Sequence, residues 1–289
     1  MMRMSSLGAT VFGVAFFASS AQAQNVPAPA SCDLRLSPGI AEHQIVSGQR
    51  PRTYRLFVPT RYDGRTPLPL VLNLHPSGGT SAGQARTSGL EEVAEREVFA
   101  VASPQAENGR WNVPVDSNRA DDVAYISDVI DHAAARLCVD RTRIYATGFS
   151  GGARMSSLLA CKLNTRIAAI APVAGLRWPA PCEGRAVPVL TFHGLADPQN
   201  TYDGRANRGA EWVESVPEAL AGWAGHNGCK LDVILEDPDG PLSTMRYAAC
   251  RGDVELRLIR IDGLGHTWPK QEIDATAAIW EFFKSQRLR

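Results

Sequence analysis

The spacing of apolar positions changes several times along this chain, and each change marks an element. Leu68 to Leu74 is a nearly unbroken apolar run, as expected of a strand covered on both faces. Arg143 to Thr147, Ile167 to Val173, Val187 to Phe192 and Val254 to Ile261 are further short runs that suit buried strands. Val98 to Ala102 is another, while Ile45-Val46 and the alternating Thr53 to Val58 predict two earlier strands. Between these runs the period turns helical. It does so over residues 83–97, and again after Asp121-Asp122, where Val123, Ile126, Ile130, Ala133 and Leu137 recur at three- and four-residue steps. Two acids at such a start favour a helix N-terminus. Gly151 to Lys162, residues 211–226 with Trp212 and Trp223, and a last helix carrying Ile279, Phe282 and Phe283 complete the helical set. Leu231 to Leu235 and Met245 to Ala248 flank an Asp237-Pro-Asp-Gly240 turn. Strands alternating with helices predict an α/β fold of one domain, with a mostly parallel central sheet flanked by helices. Ser103 to Ala120 has no period and holds Trp111; an aperiodic stretch of that length inside a compact domain points to function.

The first 23 residues stand outside this pattern. Arg3 gives a positive start, Leu7 to Ala18 an apolar stretch, and Ala21-Gln22-Ala23 a small-residue cleavage signal, so residues 1–23 read as a signal peptide. The apolar stretch is too short for a membrane span. Cleavage near Ala23 would export residues 24–289 to the periplasm or the medium. The 30 basic and 30 acidic residues balance, and the exported part would carry −1 because the signal removes Arg3 and no acid. Such neutrality offers no electrostatic case for nucleic acid or an anionic membrane as partner. All six cysteines lie beyond the signal, and an even number in an exported chain implies disulfides. Sequence leaves the pairing open, but proximity favours Cys161–Cys182 and Cys229–Cys250, leaving Cys32–Cys138. A bridge closing a loop of the 229–250 size is worth about 3 kcal/mol by chain entropy. No Cys-x-x-Cys or clustered His/Cys spacing suggests a metal site.

The chemistry centres on Gly148-Phe149-Ser150-Gly151-Gly152, a Gly-x-Ser-x-Gly sequence between an expected strand and an expected helix. That context fits a nucleophile elbow, whose sharp turn needs glycines and lifts the serine hydroxyl above the sheet. A serine hydroxyl reacts only when a base takes its proton and a third group orients the base. In an α/β hydrolase the acid and then the histidine follow the serine in chain order. His266 lies in a glycine-rich loop just past the last strand and is the expected base. Asp197, in the turn after Val187 to Phe192, is the expected acid, with Asp203 as competitor. His193 reads as a packing residue and His226 as a partner for a helix C-terminus. The backbone N–H of Gly151 is one expected oxyanion donor. The second should come from His75-Pro76-Ser77-Gly78-Gly79; Pro76 has no N–H, so Ser77, or else Gly78, must supply it. His75 would then shape the loop.

Taken together these residues resemble the secreted α/β-hydrolase esterases that include feruloyl esterases and polyhydroxybutyrate depolymerases. The resemblance runs through most of residues 24–289. It is carried by His75 and its glycines, by Trp111-Asn112, and by the run from Cys138-Val-Asp140 through Arg143-Ile-Tyr to Ser150-Gly-Gly152. It continues in His193-Gly with Asp197, Asn227-Gly-Cys229 and Gly265-His-Thr-Trp-Pro269. It implies carboxylic ester hydrolysis without metal or organic cofactor, with Ser150, Asp197 and His266 as triad and an ester, free or polymer-linked, as partner. One departure is His75-Pro76, where the family reads His-Gly. Trp111 and Trp268 would line the acyl or aryl side of the cleft. The leading expectation is a feruloyl-esterase-like enzyme acting on hydroxycinnamoyl or acetyl esters of plant polysaccharide. Polyhydroxybutyrate hydrolysis ranks second, since the linker and granule-binding domain of polymer depolymerases are not seen in these residues. An acyltransferase would keep the same triad and exclude water, and a ligand-binding hydrolase fold without activity would have no use for it.

Overall fold

The computed structural model describes residues 32, 36–204, 214–230 and 232–288, all within the unit Ser31–Arg289. The proposed signal segment, Trp212 and Leu231 lie outside the described residues. Ten strands form one sheet: Gly39–Ser47 (β1), Arg50–Val58 (β2), Leu68–Leu74 (β3), Ala100–Pro104 (β4), Val139–Phe149 (β5), Ala169–Val173 (β6), Val189–Gly194 (β7), Val233–Glu236 (β8), Leu242–Tyr247 (β9) and Leu256–Ile261 (β10). Their order is β1-β2-β4-β3-β5-β6-β7-β10-β9-β8. The stretch from β4 to β10 is parallel, and antiparallel pairs finish both edges. Six α-helices accompany them: Ser81–Ser88 (α1), Leu90–Glu97 (α2), Asp122–Ala134 (α3), Gly151–Lys162 (α4), Val216–Asn227 (α5) and Ala275–Lys284 (α6).

The unbroken apolar character of β3 has a direct cause: all seven of its residues are buried. Successive side chains of a strand point to opposite faces. Leu70, Leu72 and Leu74 pack with Tyr125 and Val129 of α3 and with Met155 and Leu159 of α4. Val71 packs on the other face, with Leu90 and Val93 of α2 and with Ile279 and Phe283 of α6. Asn73, also on that face, is kept inside by hydrogen bonds with Ser88 and Gln84 of α1.

Several boundaries differ from the sequence expectation for local reasons. The helical stretch 83–97 is two helices, because Gly89 takes φ +65° and ends α1 with its N–H on the Ala85 carbonyl. β5 begins at Val139 rather than Arg143, its polar start held by the Arg143–Asp140 pair at 2.6 Å. α5 starts at Val216 behind a capping box in which Ser215 and Glu218 bond each other's backbone N–H. The structure pairs Cys32 with Cys138, Cys161 with Cys182 and Cys229 with Cys250. The first ties the lead-in to the start of β5, the second ties the end of α4 to the loop before β7, and the third anchors the β8–β9 hairpin to the end of α5. Among the described residues no helix is long and apolar enough to cross a membrane.

The site follows from this topology. β3 sits between β4 on one side and β5 on the other, so the loops leaving the C-terminal ends of β3 and β5 part in opposite directions. A crevice opens at such a switch point, and in α/β sheets ligands bind there.

Candidate active site

Ser150 joins β5 directly to α4 and has φ 53°, ψ −110°, a conformation that costs a non-glycine residue about 1–3 kcal/mol. Packing holds it there. A Cβ on Gly148 would stand 2.6 Å from the Gly152 carbonyl carbon and 2.7 Å from the Leu74 oxygen, one on Gly152 would overlap that same oxygen, and one on Gly151 would overlap Ser77 Oγ. None of these three glycines has a positive φ. Close backbone approach, not dihedral freedom, is what demands them. Ser150 also stands at the N-cap of α4, where serine usually bonds the first turn, yet its side chain makes no such bond. Its hydroxyl is therefore not spent on the helix.

Asp197 and His266 are brought together from the ends of adjacent parallel strands, β7 and β10. Leu195 N–H donates to Ile261 O at 2.9 Å and Ala196 N–H to Leu264 O at 3.0 Å, which fixes the two loops against each other. A side chain on Gly194 would overlap the Leu264 carbonyl. His266 Nδ1 donates to Asp197 Oδ2 at 2.7 Å. Asp197 Oδ1 accepts from the backbone N–H groups of Gln199 and Asn200 at 2.8 and 2.9 Å. Burial by itself would raise the Asp197 carboxyl, but the hydrogen bonds from His266 and from the Asn200 and Gln199 backbone hold it below the usual carboxylate range. With Nδ1 committed as donor, His266 Nε2 is left as the acceptor nitrogen. Phe149, next to the serine, lies against the His266 ring at 4.8 Å. Among the described residues no hydrogen bond joins Ser150 Oγ to His266, a contact that free hydrolases often leave loose until substrate binds.

The loop after β3 is built around His75. This ring is fully buried and both nitrogens are occupied: Nδ1 donates to Pro76 O at 2.8 Å, and Nε2 accepts from Ala106 N–H at 3.0 Å. Burial pushes it down from the ordinary histidine range, so it is neutral. Trp111 packs on it at 4.9 Å and donates its indole N–H to the His75 carbonyl at 2.8 Å. The Pro76 carbonyl also accepts from Gly79 N–H at 2.9 Å. In a trans peptide the carbonyl and the following N–H point in opposite directions; tying the Pro76 carbonyl into the loop therefore turns Ser77 N–H away from it. Ser77 N lies 2.9 Å from where a Cβ would stand on Gly151. The N–H of Gly78 is already given to Gly109 O at 2.7 Å. Among the described residues the N–H groups of Ser77 and Gly151 donate to no other protein group.

The remaining expected residues fall elsewhere. Asp203 is exposed. His193 is buried with Nε2 donating to Asn200 O at 2.7 Å, and burial lowers its pKa. His226 lies in the last turn of α5 with Nε2 on the Arg185 carbonyl. Trp111 is 3% exposed but borders a small recess with Ser77 and Gly151. Trp268 is also 3% exposed; its indole N–H bonds Thr276 and its ring belongs to the core on the α2 and α6 face of the sheet, so the structure does not bring it to the cleft. Two residues were not anticipated. Arg154, one turn after Ser150 on α4, is buried and donates to Ser77 Oγ at 3.4 Å; a cation in the first turn of the helix that follows the elbow is the sequence signal for it. Gln105 stands within hydrogen-bond reach of His75 Nε2, at 3.3 Å, and accepts from Ser81 N–H, and nothing in its sequence surroundings marks it. Among the described residues no three His, Cys, Asp or Glu side chains converge as a metal site.

The sheet order, the strained serine between β5 and α4 and the paired strand-end loops define an α/β hydrolase. In the solved structures, an acetyl xylan esterase from Aspergillus awamori superposes with a TM-score of 0.62 at 17% identity, covering 84% of this chain and 99% of that one. No family model matches the sequence. Feruloyl esterase B of Piromyces equi is 31% identical over 251 residues, covering 80% of this chain and 44% of its own. Probable feruloyl esterase C of Aspergillus clavatus is 30% identical over 245 residues, covering 80% of this chain and 83% of its own. The chain belongs to the feruloyl esterase family, a family of carboxylic ester hydrolases.

Proposed function

We propose that this protein is an exported serine esterase in which Ser150 is the nucleophile, His266 the general base and Asp197 the acid that orients it. The observation that carries this reading is the 2.7 Å bond from His266 Nδ1 to the buried Asp197 carboxylate, presented by two interlocked strand ends on the sheet edge where the strained Ser150 stands. His266 Nε2 takes the Ser150 proton as Oγ bonds to the ester carbonyl carbon. The carbonyl oxygen, now an oxyanion, is held by the N–H groups of Ser77 and Gly151. The tetrahedral centre collapses, the carbon–oxygen bond to the alcohol breaks, and His266 returns the proton to the departing alcohol. Water, deprotonated by His266, then cleaves the acyl-enzyme and restores the serine.

The favoured substrates are hydroxycinnamoyl or acetyl esters of plant polysaccharide, supported by the feruloyl esterases among the relatives. Three disulfides support export, since such bonds persist in oxidising compartments; processing near Ala23 would release residues 24–289. The test is a panel of methyl ferulate, p-nitrophenyl acetate, p-nitrophenyl butyrate and hydroxybutyrate oligomers, run with wild type and Ser150→Ala. Turnover should fall by about 10⁴-fold or more in the variant while its circular dichroism is unchanged. Near-normal activity in Ser150→Ala would remove the central assignment, and turnover of hydroxybutyrate oligomers alone would move the substrate class to polyesters.

A further inference from the structure

A cavity of about 580 Å³ beside the elbow meets the small recess of Ser77 and Gly151 at two shared residues, Val113 and Arg154. Arg154, Leu158 and Lys162 all border it. They follow Ser150 at four-residue steps, so they lie on one face of α4 and advance about 6 Å at each step. The cavity therefore starts one turn from the nucleophile and runs along the helix away from it. Val113, Leu158 and Trp178 make its near walls apolar, and Lys162 stands at its far end. The Lys162 Cα is about 18 Å along the axis from Ser150. Helical side chains lean back toward the N-terminus, which brings the ammonium to about 12 Å from the elbow by the same rise.

Two further facts say what this space would hold. No residue of the His266 loop lines it. In the tetrahedral centre the departing oxygen must face His266, which protonates it, and the oxyanion must face Ser77 and Gly151. The substituent left to enter a cavity on the α4 side is the acyl group. The lining also carries charge: among the described residues it holds Arg154, Lys162 and Arg177 together with Glu214, which is engaged with Arg177 at 3.4 Å. Among the described residues Lys162, exposed at the mouth, makes no ion pair. Low-dielectric walls strengthen such a field.

We propose that this cavity is an acyl site selective for acyl groups that are apolar next to the ester and anionic at their remote end, that is, monoesters of long dicarboxylic acids. The assignment rests on the serine-esterase reading above and extends it beyond hydroxycinnamoyl and acetyl groups. The decisive measurement compares kcat/KM for mono-p-nitrophenyl sebacate, whose free carboxylate reaches Lys162, with p-nitrophenyl decanoate, its uncharged counterpart of equal length. Mono-p-nitrophenyl succinate against p-nitrophenyl butyrate supplies a pair too short to reach. The long anionic ester should be preferred by about fivefold at low salt, the short pair should show no such preference, and Lys162→Glu should reverse the long-chain preference. Raising the ionic strength should shrink it. An equal rate for the two long esters, or a preference that Lys162→Glu leaves intact, would overturn the proposal. Ser150-dependent turnover of p-nitrophenyl acetate, measured in the same wild-type preparation, keeps that failure separate from failure of the esterase reading.

Discussion

Two loops at the same edge of the sheet each present a histidine just beyond a parallel strand, and their contrast explains how the site is divided. His75, after β3, has both ring nitrogens engaged by backbone groups and is fully buried. His266, after β10, has one nitrogen on a carboxylate and the other left over. The first ring can only hold a shape, because moving a proton through it would break a hydrogen bond that keeps the loop in place. The second can take and return a proton without disturbing its anchor. Residue type and strand-end position are the same in both cases. In the proposed mechanism it is the partners of the ring nitrogens that make one a scaffold and the other the base.

The largest effect that could break this contrast comes from the group that orients His266. Asp197→Asn keeps the size of the side chain but can offer an N–H to Nδ1, which favours the tautomer with the proton on Nε2 and removes the acceptor. On p-nitrophenyl acetate kcat should fall by about 10⁴-fold. Asp203→Asn, at an exposed site, should stay within about twofold, as surface substitutions do. Equal losses in the two variants would mean that the His266–Asp197 pair is not what separates the two loops.

A smaller effect sharpens the scaffold side. His75→Phe retains a ring against Trp111 but removes one of the two hydrogen bonds on the Pro76 carbonyl and leaves the Ala106 N–H without its acceptor. Removing one oxyanion donor costs about 10²–10³-fold in kcat, and loosening Ser77 should approach the lower figure, with KM within about threefold. The unpaired Ala106 N–H should also lower unfolding stability by about 1–3 kcal/mol. The shape of the pH–rate profile should not change, because His75 moves no proton in the proposed mechanism. A profile that lost its ionisation in His75→Phe would place His75 in the chemistry instead.

Much of this arrangement was legible beforehand, and the reasons are local. The β3 run, the elbow and the 151–162 helix each carry a period or a glycine pattern dictated by their own packing, and the order Ser150, Asp197, His266 follows the order of strands. What could not be read depends on contacts between distant segments. That Ser77 and not Gly78 keeps a spare N–H is decided by the Gly109 carbonyl, some thirty residues away. Gln105 joins the His75 loop from within the aperiodic stretch, where no spacing rule applies. The expectation that Trp268 lines the cleft is not met because its side chain is buried and Thr276 takes its N–H, a contact that no local spacing rule shows. The break at Gly89 escaped because apolar spacing continues across it.

The smallest effect tests the same contrast through stability instead of rate. Burial lowers the pKa of His75, and likewise of His193, below the ordinary histidine value of 6.5. The unfolded chain therefore binds protons at these positions before the folded one does. A group of this sign contributes nothing adverse above the unfolded pKa and destabilises the fold as pH drops below it, by up to about 1.4 kcal/mol per pH unit for each histidine. Asp197, whose folded pKa is also lowered, adds stability above the unfolded carboxylate range that is lost only at more acid pH. Between pH 7.5 and 5.5 the histidines should therefore dominate, and the urea midpoint should fall. His75→Phe should start from a lower midpoint but lose less of it over that interval, because the protonation at His75 is gone while those of the other histidines lowered by burial, His43, His132 and His193, remain. An unchanged pH dependence in the variant would mean that His75 can be protonated within the fold, and the division between scaffold and base would then have to be drawn elsewhere.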